Sequence, residues 1–275
     1  MRTPKWRSLD RAGTRLACLD YGGPGPSAIL LHGLAGHAGE WRGTAAWLTE
    51  TCRVVACDAR GHGRSEPAPA DVSREAHVAD VAFVIEELRL GPAVVIGQSL
   101  GGQLALIFAA RHPELVRGVV LADASPAGAG GSASAAVAAA EVAASLRRWP
   151  MPFPTREAAV SYFAARFGSL AAEAWADGLE QRDGGWWPAF DVDVMERTLR
   201  SALTDDHWGD WERIRCPALV VRAGAGIIPA SEGGEMVDRL PGARLVELPG
   251  AAHDLHLDQP VQWREAVSAF LAELR

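Results

Sequence analysis

The sequence predicts an α/β protein built on a parallel sheet, and three observations carry that expectation. Short apolar runs of strand type alternate with longer segments of helical periodicity, the pattern of a parallel sheet covered by helices. The 275 residues, 48% of them hydrophobic, suffice to bury a large core as one α/β domain with room for a subdomain. The residues able to do chemistry, His32, Ser99, Asp123 and His253, follow strand-type runs, where sheets of this kind bind their ligands.

Taken in order, a weak strand is expected near Trp6–Leu9 and firmer ones at Arg15–Tyr21, Ala28–Leu31 and Val54–Cys57. Val78, Val81, Ala82, Ile85 and Leu88 then recur at helical spacing, and Gly91-Pro92 stops that helix. A strand at Ala93–Ile96 leads into an apolar helix from Leu100 to Arg111. Further strands are expected at Val119–Asp123, Ala218–Arg222 and Ala243–Leu248, with a helix after Pro229 and another closing the chain.

Gly97-Gln98-Ser99-Leu100-Gly101 sits between a strand and a helix. A sharp turn there forces the serine into a strained backbone with its hydroxyl in the open, and the flanking glycines remove side chains that would collide. Ile29-Leu30-Leu31 runs into His32-Gly33-Leu34-Ala35-Gly36, a loop able to turn backbone N–H groups toward a developing negative charge. The N–H groups of Leu34 and Leu100 are the expected oxyanion hole. Pro249-Gly250-Ala251-Ala252-His253-Asp254 follows the last strand and offers His253 as general base, with His256 as the late rival.

With these motifs and Asp58-Ala59-Arg60-Gly61-His62-Gly63-Arg64-Ser65, the chain from about Trp6 onward resembles the serine hydrolases of the α/β-hydrolase fold. The resemblance implies a mostly parallel eight-stranded sheet with helices on both faces and a helical cap inserted after the sixth strand. Residues 1–124 and 216–275 would then form the core domain and residues 125–215 the cap. Asp58, Arg60 and His62 read as a hydrogen-bonded loop scaffold, and His32 as a prop of the oxyanion loop.

In most relatives the triad's acid follows the seventh strand, yet Ala223-Gly224-Ala225-Gly226-Ile227-Ile228-Pro229 holds no carboxylate there. Asp123 stands at the end of the sixth strand, 24 residues past Ser99. Some relatives, the zearalenone lactonases among them, take their acid from that seat, so the resemblance implies Asp123 as the orienter of His253. Asp254 adjoins His253 and its side chain should diverge from the imidazole, while Glu232 and Glu235 are expected to face solvent.

The expected cap opens on an alanine-rich run and holds Trp149, Trp175, Trp186, Trp187, Trp208 and Trp211, six of the chain's ten tryptophans. Some could line an apolar pocket over Ser99; any one could instead pack the cap onto the core. Gly184-Gly185 precedes Trp186-Trp187 and favours that pair as pocket residues, beside Gly33, Trp41, Gln98, Leu34 and Leu100 from the core.

A net charge of −7 argues against a nucleic-acid partner, and neither a signal core nor a membrane-length apolar run occurs, so a cytoplasmic protein is expected. Cys18, Cys52, Cys57 and Cys216 lack metal-ligand spacing and read as free thiols, and neither metal nor cofactor is expected. Oligomeric state is not legible. The reaction expected is hydrolysis of an apolar ester or lactone through an acyl-enzyme, with amide or C–C bond hydrolysis, or lyase or cofactor-free oxygenase chemistry, as alternatives. Ser99 in the nucleophile's place argues against dehalogenase or epoxide-hydrolase chemistry, which needs aspartate there.

Overall fold

A computed structural model describes residues 3–274. Its eight-stranded sheet is made of β1 (Lys5–Arg11), β2 (Thr14–Gly22), β3 (Ser27–Leu31), β4 (Arg53–Asp58), β5 (Ala93–Gln98), β6 (Val116–Ala122), β9 (Ala218–Ala225) and β10 (Arg244–Ala252). A separate hairpin, β7 (Leu179–Arg182) and β8 (Gly185–Pro188), lies between β6 and β9 in sequence. The sheet order is β1-β2-β4-β3-β5-β6-β9-β10, antiparallel at β1/β2 and β2/β4 and parallel from β4 onward.

The central strands are apolar over most of their length because both faces are covered. Ile29 and Leu31 of β3 join Val95 of β5 in one core; Ala28 and Leu30 join Val94 and Ile96 in the other. Successive strand side chains point to opposite faces, which produces this split. Helix α1 (Arg42–Leu48) covers the second face together with α11 (Pro260–Glu273), through Ala45, Leu48, Trp263, Val267 and Phe270. The first face receives α2 (Arg74–Glu87), α3 (Leu100–Arg111), Trp211 of α8 (Trp208–Trp211) and Met236 of α9 (Ala230–Arg239). Ser73 starts α2 by accepting the Ala76 N–H at 3.2 Å, satisfying one of the donors a helix start leaves open.

Between β6 and β9 the alanine-rich run forms α4 (Ser132–Arg147), followed by α5 (Arg156–Phe167), α6 (Ser169–Asp177), the hairpin and α7 (Val192–Thr204). The segment is therefore not purely helical. Asp183-Gly184 closes a two-residue hairpin loop, with φ +85° at Gly184 and +141° at Gly185, conformations that glycine adopts without penalty. Phe153, Phe163, Trp149 and Leu179 build an apolar core in this segment, which Ala35 and Val72 from loops of the sheet domain join.

The short α10 (Leu255–Asp258) separates β10 from α11. Cys18, Cys52 and Cys57 are buried and Cys216 is half-buried, and among the described residues none of the four is joined in a disulfide. Among the described residues, no helix is long and apolar enough to cross a membrane.

Candidate active site

Ser99 joins β5 to α3 with φ 51° and ψ −117°, a strained backbone for a residue with a side chain. The neighbours explain why the turn needs glycines. A Cβ on Gly97 would run into the Gly101 carbonyl, and one on Gly101 into the Leu31 and His32 carbonyls at the end of β3. The Ser99 N–H donates to the Ala122 carbonyl at 2.9 Å, which pins the turn to β6.

His253 and Asp123 meet across the top of the sheet. Nδ1 of His253 lies 2.7 Å from Oδ2 of Asp123, a carboxylate with no exposed surface. An ionised carboxylate only accepts, so Nδ1 carries the proton and Nε2 is left as an acceptor. Asp123 itself has φ 46°, a left-handed conformation that aspartate tolerates better than most residues. The end of β9 and the loop after it enclose its carboxylate: the Ala223 N–H donates to Oδ1 at 3.1 Å and the Ile227 N–H to Oδ2 at 2.8 Å. A Cβ on Gly226 would overlap that carboxylate. The Ser99 hydroxyl makes no hydrogen bond to His253 among the described residues; such links are often long in unliganded enzymes and tighten with substrate.

Leu100 is the first residue of α3, so its N–H has no intrahelical acceptor. In the facing loop, the Ala35 N–H is taken by His62 Nε2 at 3.2 Å and the Gly36 N–H by the Gly33 carbonyl at 3.1 Å. Among the described residues the Leu34 N–H donates to no protein atom. His32 braces this loop from beneath, accepting the Ala59 N–H at Nε2, 3.0 Å away, and contacting the Gly33 carbonyl through Nδ1 at 2.7 Å. Asp58 accepts the Ala38 N–H at 2.6 Å and the Arg64 N–H at 2.8 Å, and Arg60 forks onto Asp80 at 2.7 and 2.6 Å. Burial holds His62 neutral, lowering its pKa to about 3. These residues form a scaffold, as their motif led us to expect.

A cavity of about 230 Å³ opens beside Ser99. Leu34, Leu100, Leu199, Leu203 and Ile228 supply much of its wall, and Gln103, Ser125 and Glu232 bring polar groups to it.

The alpha/beta hydrolase fold model matches residues 26–260. The chain belongs to this family. It is 27% identical to the 2-(acetamidomethylene)succinate hydrolase of Mesorhizobium japonicum over 90% of this chain and 89% of the relative. With the sn-1-specific diacylglycerol lipase of Mus musculus it shares 29% identity over 90% of this chain and 81% of the relative. The crystal structure of E-2-(acetamidomethylene)succinate hydrolase superimposes with a TM-score of 0.88 at 25% identity, covering 98% of this chain and all of that one.

In this alpha/beta hydrolase several residues expected at the pocket stand elsewhere. Trp41 is 0% exposed and stacks on His256 with ring centroids 4.3 Å apart, because the segment leading into α1 packs beneath α11. Gln98 is buried too; its amide donates to the His253 carbonyl at 3.2 Å and to Asp254 at 3.3 Å, so it holds the histidine loop and stands outside the lining of the cavity at Ser99. Trp186 packs against the inserted segment's own core and Trp187 reaches the Asp183 carbonyl, so neither lines the cavity at Ser99. Gly33 does lie close: a Cβ there would meet Ser99 Cβ at 3.4 Å and overlap the Gln98 amide. Glu232, expected to face solvent, is half-buried on the cavity wall.

Asp254 diverges from the imidazole as expected, taking the Trp175 indole N–H at 2.9 Å. His256 is buried behind Trp41, where desolvation lowers its pKa to about 4. The sequence reading missed Gln103 and the α7 wall. Gln103 had a signal, since a residue four after Ser99 shares its helix face; Leu199 and Leu203 had none, because only the chain's path brings α7 to the cavity beside Ser99.

Proposed function

We propose that this protein is a serine hydrolase cleaving a carboxylic ester or lactone of an apolar small molecule through an acyl-enzyme. The observation that carries the reading is the buried Asp123 carboxylate 2.7 Å from Nδ1 of His253, in a fold that strains Ser99 open beside a mostly apolar cavity. His253 Nε2 takes the Ser99 proton as Oγ attacks the carbonyl carbon, and the oxyanion accepts hydrogen bonds from the Leu34 and Leu100 N–H groups. The alcohol leaves with the proton from His253, and water, deprotonated by the same nitrogen, releases the acid and restores Ser99. Asp123 holds the imidazole's tautomer and stabilises its positive charge. Its place after β6 is what the resemblance to zearalenone-lactonase-like enzymes rests on. We assign residues 125–215 as a cap over this site.

Amide hydrolysis is the second reading, favoured by the likeness to a hydrolase whose named substrate carries an acetamido group. Treatment with a fluorophosphonate followed by peptide mass spectrometry tests the shared mechanism. The adduct is expected on Ser99, and its absence would overturn the acyl-enzyme route. Rates on matched aryl esters and anilides then separate ester from amide specificity.

A further inference from the structure

The cavity beside Ser99 contains two polar side chains that the proposed hydrolysis leaves without a role. Gln103 stands one turn beyond Ser99 on α3, is only 6% exposed, and its Oε1 is buried with no partner among the described residues. A buried amide oxygen left unpaired is unfavourable unless a bound molecule completes its hydrogen bonds. Glu232, in the first turn of α9, brings a carboxylate to the wall and forms no ion pair among the described residues. Among the described residues the lining contains no lysine, arginine or histidine. Ser125 Oγ already accepts the Ala127 N–H at 2.9 Å, which leaves its hydroxyl proton free to donate.

We propose that Gln103 and Glu232 determine specificity: the acyl part of the substrate is uncharged or cationic and carries an N–H or O–H group, and Glu232 turns away acyl chains ending in a carboxylate. This rests on the ester reading of the Ser99 site. An anionic acyl end brought into this cavity meets a like charge at Glu232 with no cation to offset it. An N–H or O–H end instead finds an acceptor in Glu232, and in Gln103 once a half-turn about its Cγ–Cδ bond exchanges the amide nitrogen for the buried Oε1. Acceptors placed for a donor reject an analogue that lacks it, because their own bonds then go unmade.

The test compares p-nitrophenyl esters of matched chain length: hexanoate, 6-hydroxyhexanoate and the adipate half-ester. The parent enzyme should show kcat/KM for the half-ester at least about tenfold below that for hexanoate. That penalty should shrink several-fold in Glu232→Gln and with rising ionic strength. Gln103→Leu should raise KM for the 6-hydroxy ester relative to hexanoate by about tenfold, and Gln103→Met provides the same readout if the leucine variant does not fold. A half-ester turned over as well as hexanoate, or a penalty unchanged in Glu232→Gln, would overturn the proposal while leaving the hydrolase reading intact. Failure to turn over any of the three would overturn the ester reading and this proposal with it.

Discussion

Gly226 and Asp123 occupy complementary space: the loop after β9 carries no carboxylate of its own, and the hydrogen of Gly226 lets the Asp123 carboxylate fit where a Cβ would lie 2.5 Å from its Cγ. The end of β9 and the same loop supply the Ala223 and Ile227 N–H groups that fix both carboxylate oxygens. The missing acid after the seventh sheet strand and the acid present after the sixth are thus one arrangement. A carboxylate in the later seat would compete for the space and for the donors that Asp123 uses.

Gly226→Ala should therefore damage activity without removing a chemical group. Displacing the carboxylate by about 1 Å is expected to cost on the order of 10²-fold in kcat. Gly234→Ala, where an added Cβ meets nothing within 4 Å, is the control and should keep its rate. Steady-state kinetics on an aryl ester decides it; equal rates for the two variants would remove the steric argument.

Asp123→Asn should lower kcat by about 10³ to 10⁴, because the amide holds the wrong tautomer and cannot stabilise the imidazolium. Asp254→Asn should cost far less, since Asp254 binds Trp175 and Gln98 and not the imidazole. Retention of most activity by the Asp123 variant would show that another group orients His253.

Ser99→Ala should abolish aryl-ester turnover while circular dichroism and the melting temperature stay near the parent's. Residual kcat/KM within about tenfold of the parent would rule out Ser99 as nucleophile.

Trp41→Ala should act on stability and not on substrate affinity. Truncating a buried aromatic of this size costs about 3–5 kcal/mol, measurable by urea unfolding. Trp187→Ala, at a half-buried position on the hairpin, should cost much less. A selective rise in KM for the folded Trp41 variant would return that residue to the substrate site.

Glu40 supplies a pH-dependent prediction. Burial raises its pKa from 4.5 to about 7, so the folded state holds a proton there that the unfolded chain gives up. The native form binds more protons between these values, and stability from this group, present below pH 4.5, is lost as pH rises through 7. His256, facing it at 3.4 Å and lowered to about 4 by burial, stays neutral over most of that window and offers no compensating charge. Glu40→Gln should thus match the parent near pH 4.5 and exceed it by up to about 3 kcal/mol above pH 7. An advantage that did not grow with pH would contradict the assignment.

The alternation of strands and helices, the elbow at Ser99, the loop at His32 and the late histidine are all legible in the chain, because each depends on local patterning: apolar runs, glycines beside a strained residue, a strand ending in a polar loop. The sequence also located Asp123 at a strand end, since an unfilled seat can be read from residues that are absent. Which side chains share the cavity depends on how the elements pack in three dimensions. Trp41 and Trp186 carry the right chemistry for an apolar pocket, yet packing beneath α11 and against the inserted segment's core claims them. Leu199, Leu203 and Glu232 come from segments 100 or more residues beyond Ser99 in the chain, and no local pattern records that they converge. Pocket identity arises from contacts between elements distant in sequence, whereas Ser99, Asp123 and His253 each follow directly on a strand that the chain's local pattern spells out.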